Sequence, residues 1–361
     1  MKTIYDLPTP ALVLDIHRLE ANLAWMANRC TELGVALRPH VKTHKCIEIG
    51  EYQRAFGAEG ITVSTLAEAR AFAEHGFDDI VWAYPIQINR IPEAGLLADE
   101  IKLGVVADSL NAIEALDKSG LPLAVHLKID CGYHRAGLDP KGHELIRVAS
   151  WASQSKNLEC GGLLSHSGHS YHSRDVKAVA DDERKVILKT KERLKRAGMD
   201  VCKVSIGSTP AMRAVEDLSG IDEVRPGNYA LFDYDQLHMG SCNIEDCAVS
   251  VITTVISTHS HLEHSIIDAG ALALGKDLGP SRPNNPVYAK VYKDYEAGLL
   301  YDDLNVVGLS QEHGKINSNL NHDQKLRLLP NHSCLTVAHF DSMYVAEGEQ
   351  VVDQWKIWRN R

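Results

Sequence analysis

Val35-Ala36-Leu37-Arg38-Pro39-His40-Val41-Lys42-Thr43-His44-Lys45 begins as a short apolar run and turns, at a proline, into a dense basic cluster. The run has the content of a strand, and Pro39 marks where it runs out. Strands that end in reactive polar side chains characterise a barrel of alternating strands and helices, where chemistry collects at the strands' carboxyl ends. On the amino side, Leu19, Leu23, Met26 and Cys30 recur at helical spacing before Gly34, behind a short apolar run at residues 11–14. On the carboxyl side, apolar runs return at residues 60–63, 79–83, 101–106, 123–129, 161–164, 201–206 and 223–225, with helical stretches between them. Strand followed by helix, about eight times over roughly 220 residues, predicts an α/β fold: a (β/α)8 TIM-like barrel more than an open doubly wound sheet.

After Leu237 the texture changes. Residues 248–257 are rich in Val, Ile and Thr, and short runs follow at 265–268, 303–309, 325–329, 335–337, 344–346 and 351–358. Turn signals without helical periodicity predict a carboxyl-terminal, mainly-β domain. The expected division is 1–240 for the barrel and 241–361 for the β domain, with the first residues open to either. A chain of 361 residues is long enough for two such cores. Its net charge of −10 argues against nucleic acid or an anionic membrane as partner. No stretch approaches the roughly 18 apolar residues of a membrane span, and residues 1–15 lack the apolar core of a signal peptide. The eight cysteines are scattered without a Cys-x-x-Cys pair, which reads as reduced thiols in a cytoplasm.

Three strand ends carry unusual polar clusters. In the first, a lysine at a barrel mouth is a nucleophile for aldehydes once burial and neighbouring cations favour its neutral form. Lys42 lies nearer the strand than Lys45 and is preferred. The second is Lys128-Ile129-Asp130-Cys131-Gly132-Tyr133-His134-Arg135-Ala136-Gly137, a Gly-bracketed loop that presents Arg135 to an anionic oxygen. The third is a pair: Gly207-Ser208-Thr209-Pro210 and Arg225-Pro226-Gly227-Asn228-Tyr229. Both supply hydroxyls and backbone N–H groups suited to a dianionic phosphate, late in the barrel where such groups often sit. His166 and Tyr171, in Ser165-His166-Ser167-Gly168-His169-Ser170-Tyr171, follow another strand and face the same mouth. Each cluster taken alone is also an ordinary turn. In the β domain, Pro330-Asn331-His332-Ser333-Cys334 reads as a strand, on which residues two apart share a face. His332 and Cys334 can then meet one metal ion, and imidazole with thiolate favours zinc.

Together these residues resemble the metal-activated D-serine dehydratase and D-threonine aldolase family, which shares the alanine-racemase type of pyridoxal-phosphate fold. The likeness runs from Thr9-Pro10-Ala11-Leu12-Val13-Leu14-Asp15 to the carboxyl end, and is most specific at 38–45 and 330–334. The resemblance implies that Lys42 is the Schiff-base lysine, that Arg135 approaches the cofactor's phenolic oxygen, and that His166 and Tyr171 line its ring. By the same likeness Ser208, Thr209, Gly227 and Asn228 hold the phosphate or its surroundings, with Arg225 in the same cluster. His332 and Cys334 are implied as metal ligands, with zinc the usual ion and manganese or magnesium the alternatives. A homodimer is implied as well.

The His-x-Cys pair resembles the dehydratase branch, whereas many D-threonine aldolases carry His-x-Asp and alanine racemases lack the pair. The implied activity is a lyase on small D-β-hydroxy amino acids, foremost D-serine to pyruvate and ammonia. Cleavage of D-threonine or another 3-hydroxy-D-amino acid to glycine and an aldehyde is the alternative. Racemisation and non-catalytic cofactor carriage come behind both.

Overall fold

The computed structural model describes residues 2–281 and 283–359. Two compact units interleave along the chain instead of meeting at one point near residue 240. One comprises Met26–Lys42 and Gly50–Gly227; the other comprises the residues up to Trp25, Thr43–Ile49 and Asn228–Arg359. Among the described residues no helix is long and apolar enough to cross a membrane.

The short run at the amino end is a strand, β1 (Ala11–Asp15), but it belongs to the second unit and not to the alternating strand–helix series. All five of its residues are buried, because it lies in the middle of a sheet with a neighbour on either side. The first unit holds the eight parallel strands: β2 (Ala36–Leu37), β3 (Ile61–Val63), β4 (Asp79–Pro85), β5 (Lys102–Ala107), β6 (Ala124–Lys128), β7 (Glu159–Leu164), β8 (Val204–Ile206) and β9 (Glu223–Val224). Their order is β2-β9-β8-β7-β6-β5-β4-β3. A parallel bridge between His40 and Thr62, with Thr62 N–H donating to the Pro39 carbonyl at 2.8 Å, joins the two ends. This is the closed barrel that the strand–helix alternation predicts.

The barrel interior is polar. Arg38 and Glu223 sit at 3% and 1% side-chain exposure with Nε and Oε2 2.7 Å apart. Ser205 Oγ donates to Glu223 at 2.7 Å, Lys203 adds an ion pair at 3.3 Å, and Arg38 also holds Asp79 at 2.7 Å. Burial would lift the Glu223 carboxyl; Arg38, Ser205 and Lys203 outweigh it and hold it down at about 2. His126 shares this interior, and burial takes its imidazole down to about 4. Two glycines make room for that ring: a Cβ on Gly104 would come within 2.9 Å of His126 Nε2, and one on Gly161 within 2.8 Å of Cδ2.

The second unit is built on a nine-stranded sheet containing β1 and β10 (Val249–Thr258), β11 (Ser265–Ile267), β12 (Ala289–Asp294), β13 (Leu299–Leu309), β14 (Gly314–Ile316), β15 (Lys325–Pro330), β16 (Ser342–Glu347) and β17 (Gln350–Lys356). β10 and β11 also pair, so β10, β11, β14, β13, β12 and β15 form a closed antiparallel ring, with β1, β16 and β17 extending it. One predicted strand is corrected: residues 335–337 lie in a helix, Ser333–Ala338.

Glu223→Gln is expected to cost about 3–5 kcal/mol at neutral pH, because it strands the Arg38 charge inside the barrel. A carboxylate with a depressed folded pKa stabilises above its unfolded pKa of about 4.3, and that stability fades as pH falls toward about 2. Urea unfolding of the parent and the variant should therefore differ most at pH 7 and least near pH 2. An equal gap at both pH values would remove Glu223 from this role.

Candidate active site

Hydrogen bonding between β2 and β9 runs past both strands, with His40 N–H donating to the Pro226 carbonyl at 2.9 Å. The chain then enters a single 3-10 turn, Val41–Thr43, that carries Lys42 half-buried at the carboxyl end of β2. Lys45, the competing lysine, groups with the other unit, where its carbonyl accepts from Trp358 N–H at 2.7 Å. Of these two lysines, Lys42 groups with the barrel unit.

His166 follows β7 and is half-buried, with Nδ1 3.4 Å from the Gly207 carbonyl. Desolvation pushes its imidazole well below the usual range, and Lys128, Lys42, Arg135 and Arg225 push it further in the same direction. Both effects favour the neutral form of the ring. Tyr133 lies edge-on to it, with centroids 6.2 Å apart, and stacks on His169 at 5.9 Å. Gly168 permits this placement, since a Cβ there would sit 2.3 Å from the Tyr133 ring. Arg135 is exposed and its Cζ lies 5.0 Å from the Tyr133 centroid.

Lys128 ends β6 and is buried; desolvation first, then Arg225, brings its amine down to about 7. Arg225 is buried too, donating to Ser205 Oγ and to the Ser165 carbonyl, and burial lowers it to about 10. The buried counter-charge is Glu183, on the helix Val176–Arg196, which accepts from Ser165 Oγ at 2.7 Å and Ser167 Oγ at 2.6 Å. Ser208 and Thr209 are buried after β8, and Ser208 Oγ meets Ser170 Oγ at 2.8 Å. Tyr171 is half-buried in the turn Gly168–His172, and Gly227 is buried beyond β9.

The second unit carries a separate cluster. His332 and Cys334 are not on a strand. β15 stops at Pro330, His332 has the extended backbone of a helix N-cap, and Cys334 lies in the first turn of Ser333–Ala338. Asp233 drives the turn by accepting both Ser333 N–H at 2.9 Å and Ser333 Oγ–H at 3.0 Å. The two side chains still reach each other. Burial opposes charge on His332, and hydrogen bonds with Asp277 and Cys334 outweigh it, lifting the imidazole to about 11. His332 Nδ1 is 2.9 Å from Asp277 Oδ2, and ligand atoms of Asp235, Asp277 and His332 lie within 4.8 Å of one another. Burial and the neighbouring Asp233 and Asp277 raise Asp235 to about 7. Cys334 Sγ is 3.4 Å from Thr43 Oγ1 and 3.8 Å from Asn228 Nδ2. Asn228 also donates to Asp233 at 2.7 Å and Ser333 at 3.0 Å, so its side chain is committed to this cluster. The imidazole of His332 and the carboxylates of Asp235 and Asp277 are a donor set that fits a divalent cation, and the Cys334 thiol lies against His332 beside them.

The first unit therefore gathers Lys42, Arg135, His166 and Arg225, while the second gathers Asn228, His332 and Cys334. Sequence reasoning missed Glu183, Asp235 and Asp277, and quoted Lys128 without giving it a part. Lys128 had a signal, as a charged residue closing an apolar strand. Asp277 had none, being 55 positions from His332 in an unremarked turn.

Residues 14–235 match the alanine racemase N-terminal domain, and residues 248–346 match a serine dehydratase domain. The chain belongs to the alanine racemase N-terminal domain family, in the branch that joins that domain to a serine dehydratase domain. Among its relatives, the D-serine dehydratase of Dictyostelium discoideum is 35% identical, over 98% of this chain and 97% of that one. The D-threo-3-hydroxyaspartate dehydratase of Delftia sp. HT23 superposes with a TM-score of 0.92 at 33% identity, over 99% of each chain. Two further structures of that enzyme carry alanine in place of a histidine and of a cysteine two positions on, the latter in a metal-free form. The alanine racemase of Bacillus anthracis shares the fold, with a TM-score of 0.72 at 14% identity over 97% of this chain and 98% of that one.

Asp277→Asn is expected to weaken divalent-metal binding by about 10- to 100-fold, the usual effect of losing a carboxylate that orients a metal-binding histidine. Calorimetric titration of zinc into metal-free protein reads this directly. Unchanged affinity would place Asp277 outside the metal's surroundings.

Proposed function

We propose that this protein is a lyase of D-β-hydroxy amino acids that works with pyridoxal 5′-phosphate and a divalent metal ion, dehydrating D-serine to pyruvate and ammonia. One observation carries the reading: the strand ends of one unit bring Arg135 against Tyr133, Tyr133 edge-on to His166, and Arg225 onto the Ser165 carbonyl next to His166, with Lys42 leaving the end of β2 in the same unit. In a chain of net charge −10, so local an excess of cations fits a small, multiply charged anion. Pyridoxal phosphate is such an anion, and its aldehyde needs an amine. Lys42 is suited to hold the aldehyde, Arg135 to face the phenolic oxygen, and His166 and Tyr171 to line the ring. Ser208, Thr209, Arg225, Gly227 and the Asn228 backbone are suited to the phosphate.

When bound, pyridoxal phosphate supplies an electron-withdrawing ring that stabilises negative charge at the substrate's Cα. Lys42 Nζ takes up the Cα proton. His166, held neutral, lines the ring without adding a charge that would compete for it. His332 and Cys334 would hold the metal, with Asp277 orienting His332, and the ion would supply a Lewis acid for a β-hydroxyl. The thiolate favours zinc, while Asp235 and Asp277 also suit manganese or magnesium. A homodimer, a small-molecule substrate and a cytoplasmic location complete the reading, the last supported by eight free cysteines.

Protein loaded with cofactor and zinc should release pyruvate and ammonia from D-serine, lose that activity to a chelator and regain it with zinc. Pyruvate release that a chelator leaves untouched would overturn the metal's part. No pyruvate from D-serine, with acetaldehyde from D-threonine instead, would replace dehydration by aldol cleavage. Lys42→Ala should lower kcat by about 10³-fold or more and abolish the visible absorbance of bound cofactor. Survival of that absorbance would transfer the role to another lysine.

A further inference from the structure

Of the eight cysteines, Cys160 and Cys202 are the two that are exposed; Cys334 is half-buried and the rest are buried. They are 42 positions apart in sequence and adjacent in space. β7 and β8 run parallel with Leu163 beside Val204 and Leu164 beside Ser205. β7 carries an irregularity between Cys160 and Gly162, where Gly162 has a φ of +105°. Cys160, near the amino end of β7, lies against Cys202, just ahead of β8. Cys202 Sγ lies 2.8 Å from the Cys160 carbonyl oxygen. Neighbouring strands are about 4.8 Å apart, inside the Cα separation that a disulfide spans. Neither thiol has a part in the chemistry proposed above, since both lie at the strand ends opposite His166 and Ser208.

We propose that Cys160 and Cys202 form a peroxide-sensitive dithiol that closes reversibly to a disulfide across β7 and β8. The Cys160 thiolate attacks one oxygen of hydrogen peroxide, breaking the O–O bond and leaving a sulfenic acid and, after protonation, water. The Cys202 thiol then attacks that sulfur, forming the S–S bond and expelling the second water. Two thiols are oxidised and the peroxide is reduced to two waters. A hydrogen bond from the Cys202 thiol lowers Cys160 to about 6 and makes it the attacking partner. The buried thiols are shielded: burial lifts Cys30 and Cys131 to about 12.

The test uses the cofactor- and metal-loaded protein. After brief peroxide treatment, denaturing alkylation and digestion, mass spectrometry should find one cross-linked peptide pair containing Cys160 and Cys202, abolished by dithiothreitol, with the buried cysteines alkylated. In Cys202→Ala, which removes both the resolving thiol and the hydrogen-bond donor, Cys160 should be trapped by dimedone as the sulfenic acid. At pH 6.5 its alkylation should also be about 5-fold slower than in the parent, the gain in thiolate being partly offset by lower intrinsic nucleophilicity in the parent. Recovery of Cys160 and Cys202 as separate alkylated peptides, cross-linking between chains instead of within one, or equal alkylation rates in parent and variant would each overturn the proposal.

Discussion

The Arg38–Glu223 ion pair joins the first and last strands of the barrel, β2 and β9, and the strand ends that carry Lys42 and Arg225 both hang from it. Leu37 pairs with Val224 in register, and Arg38 N–H donates to the Val224 carbonyl at 3.0 Å. Lys42 leaves from the end of β2 and Arg225 from the end of β9. An apolar contact could close the sheet equally well, but it would tolerate a slip in register. A bidentate cation placed between Glu223 and Asp79 ties β9, β2 and β4 at one level. Buried pairs contribute little net stability and specify arrangement instead. Here the arrangement is what puts an amine and a guanidinium above the same mouth.

Glu223 is engaged by Arg38, Lys203 and Ser205, and that engagement leaves the upper layer short of negative charge. Arg225, two residues further along, is offset by Glu223 and then by Glu183, and Glu183 also serves Lys128. Glu183 is itself held by two serine hydroxyls. The imbalance therefore follows from which carboxylates the lower layer consumes. His166 registers it most directly: after burial, the largest influences on its proton are four cations, Lys128, Lys42, Arg135 and Arg225.

The barrel was legible because each strand is an apolar run that closes on polar residues, and a period of that kind survives errors at the boundaries. Residues 11–14 were not legible as a strand of the other unit: a continuous apolar run says that both faces are covered, and nothing about by what. Residues 335–337 read as a strand because Leu-Thr-Val is rich in β-branched side chains, yet Asp233 captures Ser333 and starts a helix there. The metal cluster was half visible, since His332 and Cys334 are neighbours in sequence while Asp235 and Asp277 arrive through loops. Cys160 and Cys202 were invisible as a pair, because 42 positions separate them and only the pairing of β7 with β8 brings them together.

The cation cluster also bears on stability. Desolvating Lys128 and Arg225 next to each other costs free energy, visible in amine and guanidinium values that fall to about 7 and about 10. A strand-end layer optimised for stability alone would replace one of them with an apolar side chain. Binding a multiply charged anion reverses the sign of those interactions without moving the barrel, because the ring of strands is already fixed by the lower layer. The energy withheld from folding then returns as affinity, and the folded state gains about 2.7 kcal/mol once the anion is present at a hundred times its Kd. On the function proposed above, folding and loading would be coupled through charge, with the Arg38–Glu223 layer as the fixed support and the Lys42, Lys128, Arg135 and Arg225 side chains as the part a ligand would complete.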